Sequence, residues 1–338
     1  MAEIETLMGV SAADIEKVMG VAKGDIEKVM GVEIPAPTTS YQGGRGISMG
    51  GIIVTGGAQV ADIEYKAMSS DGDTLDFGDI LEGSTRAWVA MAGNDSRAVG
   101  MTGRAGGSAV NHIEYSTISN LGNATEFGDS TEAREDSTGT GNGTRGVCAG
   151  GYGTGNVTTI DYITVASATG ASDYNDMTRA SSTMNSGNAN LTRGIWWMGW
   201  DGDYNNRDAN YITIATTNVA ADFGDWSAAI SAPAAIGLIE SKNVWGGGYT
   251  SGASSHWATM EYRNPTSLGN TASQGDLGSA TARAAGKFTN GVRGEIWGGA
   301  SAAYDNVQKF TIASDGDASH AGEIRNGSRV YWDGWSGD

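Results

Sequence analysis

The chain has 338 residues, of which 53 are Gly and only 4 Pro, with 10 Trp, 12 Tyr and 39% hydrophobic residues. Gly at about 16% is roughly twice the usual level, yet no Gly-X-Y period runs through the chain and the aromatic content is that of a packed protein, which excludes collagen and a disordered linker. Lys and Arg total 21 against 39 Asp and Glu, a net charge of −18; phosphate binding needs a basic stripe, so no nucleic-acid partner is expected.

The single cysteine, Cys148, permits no internal disulfide and no Cys-based zinc site. The acidic N-terminus lacks the basic flank and apolar core of a signal peptide, and no apolar run approaches the ~18–20 residues of a membrane span. These features predict synthesis in a cytoplasm and no membrane partner.

The first element is an 11-residue repeat: IETLMGV from Ile4, then IEKVMGV from Ile15 and from Ile26. Apolar residues at i, i+3 and i+4 fit one face of a helix, with Asp14 and Asp25 placed as N-caps and Gly9, Gly20 and Gly31 as C′ glycines. Two arrangements are compatible with this: three short broken helices, which the repeated Gly favours, or a continuous right-handed coiled coil from the 3.67-residue period. Either presents a stripe of Ile4, Met8, Ile15, Val18, Met19, Ile26, Val29 and Met30. Residues 1–35 are therefore expected to form a helical docking segment for a particle protein, and one through which the chain could self-associate. Packing back on the following domain is the alternative.

From residue 36 to 338 a second repeat takes over. A basic anchor opens the segments RGISMGG at Arg45, RAVGMTG at Arg97, RGVCAGG at Arg145, RGIWWMGW at Arg193, KNVWGGG at Lys242 and RGEIWGG at Arg293, at spacings of 52, 48, 48, 49 and 51 residues. Each is followed by a β-rich run such as Ile63 to Tyr65 or Ile113 to Tyr115, and then by an aromatic-Gly-Asp block such as Phe77 to Asp79 or Phe127 to Asp129. A small-residue run led by Arg86, Arg134, Arg179, Arg283 or Arg325 completes the unit. Four blocks per ~50 residues predict four-stranded propeller blades. The strands are named a (small residues), b (anchor to Gly-Gly), c and d (aromatic-Gly-Asp, with a degenerate sixth copy expected near Asp315 to Asp317). Six blades, closed by the C-terminal run completing the first, are expected; a seventh strand b at Arg329 would leave an edge unpaired.

The Gly-Gly doublet closing strand b, the aromatics of c and d and the Arg before strand a resemble the kelch repeat, and the wording "TRGVCAGG", "IDYITVAS" and "NATEFGD" is similar to kelch-type repeats of tailed-bacteriophage virion proteins. The departure is strand d, which carries Phe or Tyr where kelch repeats have Trp. The resemblance implies an all-β, six-bladed kelch-like propeller and a non-enzymatic virion protein, anchored by residues 1–35 and displaying the propeller for decoration or host-surface adhesion. A carbohydrate-active or oxidative propeller enzyme and a cellular kelch-type scaffold are the alternatives.

No catalytic, metal or cofactor site emerges from the residues. Cys148 stands where other repeats carry Trp, and His112, His256 and His320 are scattered. Asp71 to Asp73, Asp201 to Asp203 and Asp315 to Asp317 read as turns, since the run from Asp201 has Ile212 where an EF-hand needs a bidentate Glu. Seven positions after the anchor stand Tyr152, Trp200 and Tyr249. On adjacent blades they would form an aromatic arc suited to stacking on a host-surface glycan, against the plainer reading of loop packing.

Overall fold

In the computed structural model the described residues are 43–338, apart from 55, 82–84, 183–186, 202–206, 240, 251–254, 301–304, 326, 328, 331, 332 and 338, together with six two-residue strands among the first 33. The chain divides into two units, Met1–Thr38 and Thr39–Asp338. In the first, Thr6–Leu7 pairs with Val10–Ser11, Lys17–Val18 with Val21–Ala22, and Lys28–Val29 with Val32–Glu33. The predicted helices, and Ile4, Met8, Ile15, Met19, Ile26 and Met30, lie outside the described residues.

The second unit is a six-bladed β-propeller. Its six four-stranded antiparallel sheets run in the order a-b-c-d. Blades 2, 3, 5 and 6 open with strands a at Ala90–Gly93, Thr138–Gly141, Ala234–Ile239 and Ala285–Thr289, and blade 4 with Asn188–Ala189. Blade 1 is the exception, because its strand a is Asp333–Gly337, paired with strand b at Arg45–Met49 from Asp333↔Met49 to Gly337↔Arg45. The expected splice is present, but the pairing segment begins after Arg329 rather than at Arg325. Strand d of blade 6 is Ser319–Glu323, so Asp315 to Asp317 is the turn before it and Ala321-Gly322-Glu323 fills the aromatic-Gly-Asp slot.

Strand b is buried on both faces, as its continuous apolar run requires. The anchors stitch the ring. Arg45, Arg97, Arg145 and Arg193 each place a guanidinium over the strand-c Tyr of their own blade, 4.4–5.0 Å from the ring centroid of Tyr65, Tyr115, Tyr162 and Tyr211. Each then donates to a carbonyl of the next blade, at Ile118, Val165, Ile214 and Pro265, over 2.6–3.0 Å. Lys242 reaches Asp315 at 2.8 Å, and Arg293 closes the cycle on Asp71 of blade 1 at 2.8 Å. Arg145→Met removes one such stitch and is expected to cost about 2 kcal/mol, from a charged hydrogen bond and a cation–π contact, measured by urea denaturation.

The glycine excess answers to the same interfaces. In the Gly-Gly doublets, Gly51 N donates to Arg86 O at 2.7 Å and Gly151 N to Ser181 O at 2.9 Å, both across blade boundaries. A Cβ on Gly50, already at φ +65°, would lie 2.1 Å from Arg86 O, so only glycine admits this approach. At the outer edge, the Asp-Gly-Asp turns staple neighbouring blades: Asp73 Oδ1 accepts from Glu323 N at 3.0 Å and Asp317 Oδ1 from Asp276 N at 2.9 Å.

Candidate ligand-binding face

The a–b pairing of each blade continues past the Gly-Gly doublet. Ala87 bridges Arg104, Glu135 bridges Tyr152, Ser182 bridges Trp200, Ser231 bridges Tyr249 and Ala282 bridges Ala300, while Val330 pairs with Ile52 in blade 1. One residue per blade therefore stands at an equivalent place, seven after the anchor, where the b–c loops leave the sheets. Tyr152, Trp200 and Tyr249 occupy it on adjacent blades 3, 4 and 5. Tyr152 is 39% exposed and the other two are half-buried. The rim is tied between blades, with Asn156 Nδ2 donating to Trp200 O at 3.1 Å and Gln59 Nε2 to Arg104 O at 2.9 Å.

Inside this rim lies a second set, two residues before strand a. Trp88, Asp136, Ala232 and Arg283 share that position, with φ between 53° and 58°. Non-glycine residues reach this left-handed region at a cost, and its recurrence makes it a property of the blade at the entrance to the innermost strand. Arg104 pairs with Glu135 at 3.2 Å and lies 5.5 Å from the Trp88 ring centroid. Asp136 is pushed up to about 7, first by burial and then by Glu135, while Arg283 and Arg104 act the other way. Arg283 also lies 5.9 Å from the Tyr249 ring centroid and helps burial lower the His256 imidazole. Tyr249 meets His256 edge-on at 6.1 Å. Arg283 thus acts electrostatically on both the acid and the aromatic arc.

Further along the same strands the axis is closed. Lys287 of blade 6 pairs with Asp333 of blade 1 and donates to Gly139 O of blade 3 at 3.1 Å. Asp333 Oδ2 also accepts from Met91 N of blade 2 at 3.0 Å. Burial lowers the Lys287 ammonium and Asp333 opposes it. Blades crowd here, which is why strand a is built of small residues: a Cβ on Gly139 would lie 2.3 Å from Met91 O and one on Gly286 1.8 Å from Ala235 O.

Of the other positions considered from sequence, Cys148 is fully buried among core residues. Asp201 pairs with Arg179 at 3.0 Å, and Asp203 lies outside the described residues. Asp71 serves Arg293 and Lys309. Among the described residues no group of three His, Cys, Asp or Glu is placed to hold a metal ion. Sequence reasoning missed Arg104 because it sought only aromatics at that register position, and Asp136 and Arg283 because it did not look for charges at the next ring inward. No family model matches the chain, and no curated protein matches it.

Proposed function

We propose that the protein is a non-enzymatic, carbohydrate-binding display module of a bacteriophage particle, docked on a virion protein through residues 1–35 and presenting the b–c face of the propeller to host-surface glycan. The observation that carries this reading is the arc of Tyr152, Trp200 and Tyr249 at equivalent places on three adjacent blades, with Asp136 and Arg283 at the ring inside it. Aromatic faces stack on sugar rings, while carboxylate and guanidinium groups fix hydroxyls, the combination of apolar surface with a few placed polar groups that a ligand site requires. The kelch-like repeat wording supports the virion setting, and the docking role rests on the three-fold repetition of the first 35 residues.

Trp200→Ala and Tyr249→Ala together are expected to lower binding on a glycan array or to host cells about tenfold or more, while the melting temperature holds. Loss of stability with binding retained would mean that these rings only pack the loops. Co-purification of the full chain with virions, lost on deleting residues 1–35, tests the docking role.

A further inference from the structure

Blade 5 breaks a rule that the other blades keep. Each blade has a polar side chain at one place in strand c, and a partner position just before the residue that bridges strand b beyond the Gly-Gly doublet. In blades 1, 2 and 3 these are a buried acid and a buried arginine: Arg329 with Glu64 at 2.7 Å, Arg86 with Glu114, and Arg134 with Asp161 at 2.9 Å. Where the arginine is replaced by Ser181 in blade 4 or Thr281 in blade 6, the acid is replaced as well, by Asn210 or Gln308. Those amides keep the acceptor role without the charge, with Asn210 Oδ1 taking Thr178 N at 3.1 Å and Gln308 Oε1 taking Ser279 N at 2.9 Å. Loss of cation and anion together is what electrostatics demands, since a buried carboxylate without a counter-charge costs several kcal/mol.

Blade 5 keeps the acid, Glu261, but has Ile230 at the arginine position. Glu261 is 8% exposed and bonds Ser227. Beside both residues is a partly open cleft walled by Trp197, Trp226, Trp245 and Trp257, with room of about 10 Å3, the size of one water or one ammonium group. Trp197 and Trp226 stack at 4.2 Å, and Trp245 stands edge-on to Trp226 at 5.1 Å. The internal cation Arg263 makes no ion pair with Glu261 among the described residues. It lies 4.5 Å from the Trp226 ring centroid and donates to Gly224 O at 3.1 Å, and Glu261 is the first of the carboxylates that favour its charge from beyond contact.

We infer that this cleft binds a monovalent organic cation, the primary ammonium head of an amine ligand, which supplies from outside the charge that Arg86, Arg134 and Arg329 supply from within. Indole faces and a shielded carboxylate are the surroundings that favour such a head group. The inference does not depend on glycan binding at the rim.

The test titrates the full chain with n-butylammonium chloride, and with n-butanol as the uncharged match, at fixed ionic strength, following tryptophan fluorescence and heat. Saturable binding of the ammonium, about tenfold tighter than butanol, is expected. Glu261→Gln is expected to weaken it about tenfold, and Ile230→Arg, which restores the internal pair, to abolish it while raising the melting temperature. No saturation up to about 0.1 M, equal binding of butanol, or unchanged cation binding in folded Ile230→Arg overturns the proposal. Should Ile230→Arg fail to fold, the Glu261→Gln titration decides. Neither variant alters Tyr152, Trp200 or Tyr249, so glycan binding is read separately.

Discussion

Asp333→Asn is expected to destabilise the propeller by about 3–5 kcal/mol, the cost of leaving a buried cation without its counter-charge. Lys287 is fully buried at the axis, and its ammonium has Asp333 and the Gly139 carbonyl as partners. Since Asp333 belongs to the strand that closes blade 1, and also takes the Met91 N–H, the variant weakens contacts among blades 6, 1 and 2 together. Lys287→Met should cost a similar amount, whereas the double variant Lys287→Met/Asp333→Asn should cost far less than the sum, because neither charge remains. Urea denaturation across this cycle measures the coupling. A pH signature accompanies it. A buried lysine whose value is lowered binds fewer protons folded than unfolded between its folded value and 10.5, so stability contributed at this site rises with pH in that window. Asp333→Asn removes the group that opposes the lowering, so its deficit should shrink as pH rises toward 10. A loss under about 1 kcal/mol at pH 7 would show that the axial pair does not hold the ring.

Asp136→Asn is expected to act in the opposite direction, stabilising the protein by about 2–4 kcal/mol at pH 8 and by little at pH 4. The Asp136 carboxyl is raised from 3.8 to about 7, chiefly by burial. With its folded value above its unfolded one, the group favours folding fully below pH 3.8, and that contribution is lost as pH rises through 7. An uncharged amide escapes the loss. Melting temperatures of the variant and the parent, measured from pH 4 to 8, should diverge with their largest gap at the alkaline end. Parallel curves would place Asp136 in a less shielded setting. An acid that lowers stability near neutral pH, at the ring inside the aromatic arc, has the perturbed setting typical of functional sites.

The blades, their number and the terminal splice were legible because the anchors, Gly-Gly doublets and aromatic-Gly-Asp blocks recur in phase. What the anchors do was not: Arg145 could be counted, but its bond to Ile214 O depends on how two blades sit side by side. Arg325 looked like the arginine that introduces strand a, yet Arg329 holds that place. Arg179 and Arg283 likewise led their runs in the sequence, yet Ser181 and Thr281 hold that place in the fold. The pairing of Glu64, Glu114 and Asp161 with arginine, and the exception at Glu261, therefore became visible only in three dimensions. The axial pair of Lys287 and Asp333 left no trace in the repeats, since each occurs in one blade only. The left-handed set containing Asp136 and Arg283 was hidden too, because backbone conformation there is imposed by the blade and not by glycine.

Closure by the last strand also sets a choice of partner. Before Asp333–Gly337 pairs with Arg45–Met49, an opened molecule offers a free strand and a free edge that fit one another, and they fit equally well when they belong to different molecules. The arrangement within one chain prevails only while the local concentration of its own strand exceeds that of its neighbours. Crowded assembly therefore turns the same seam into a route to exchanged dimers or open chains of propellers, joined by the pairing that otherwise makes each ring complete.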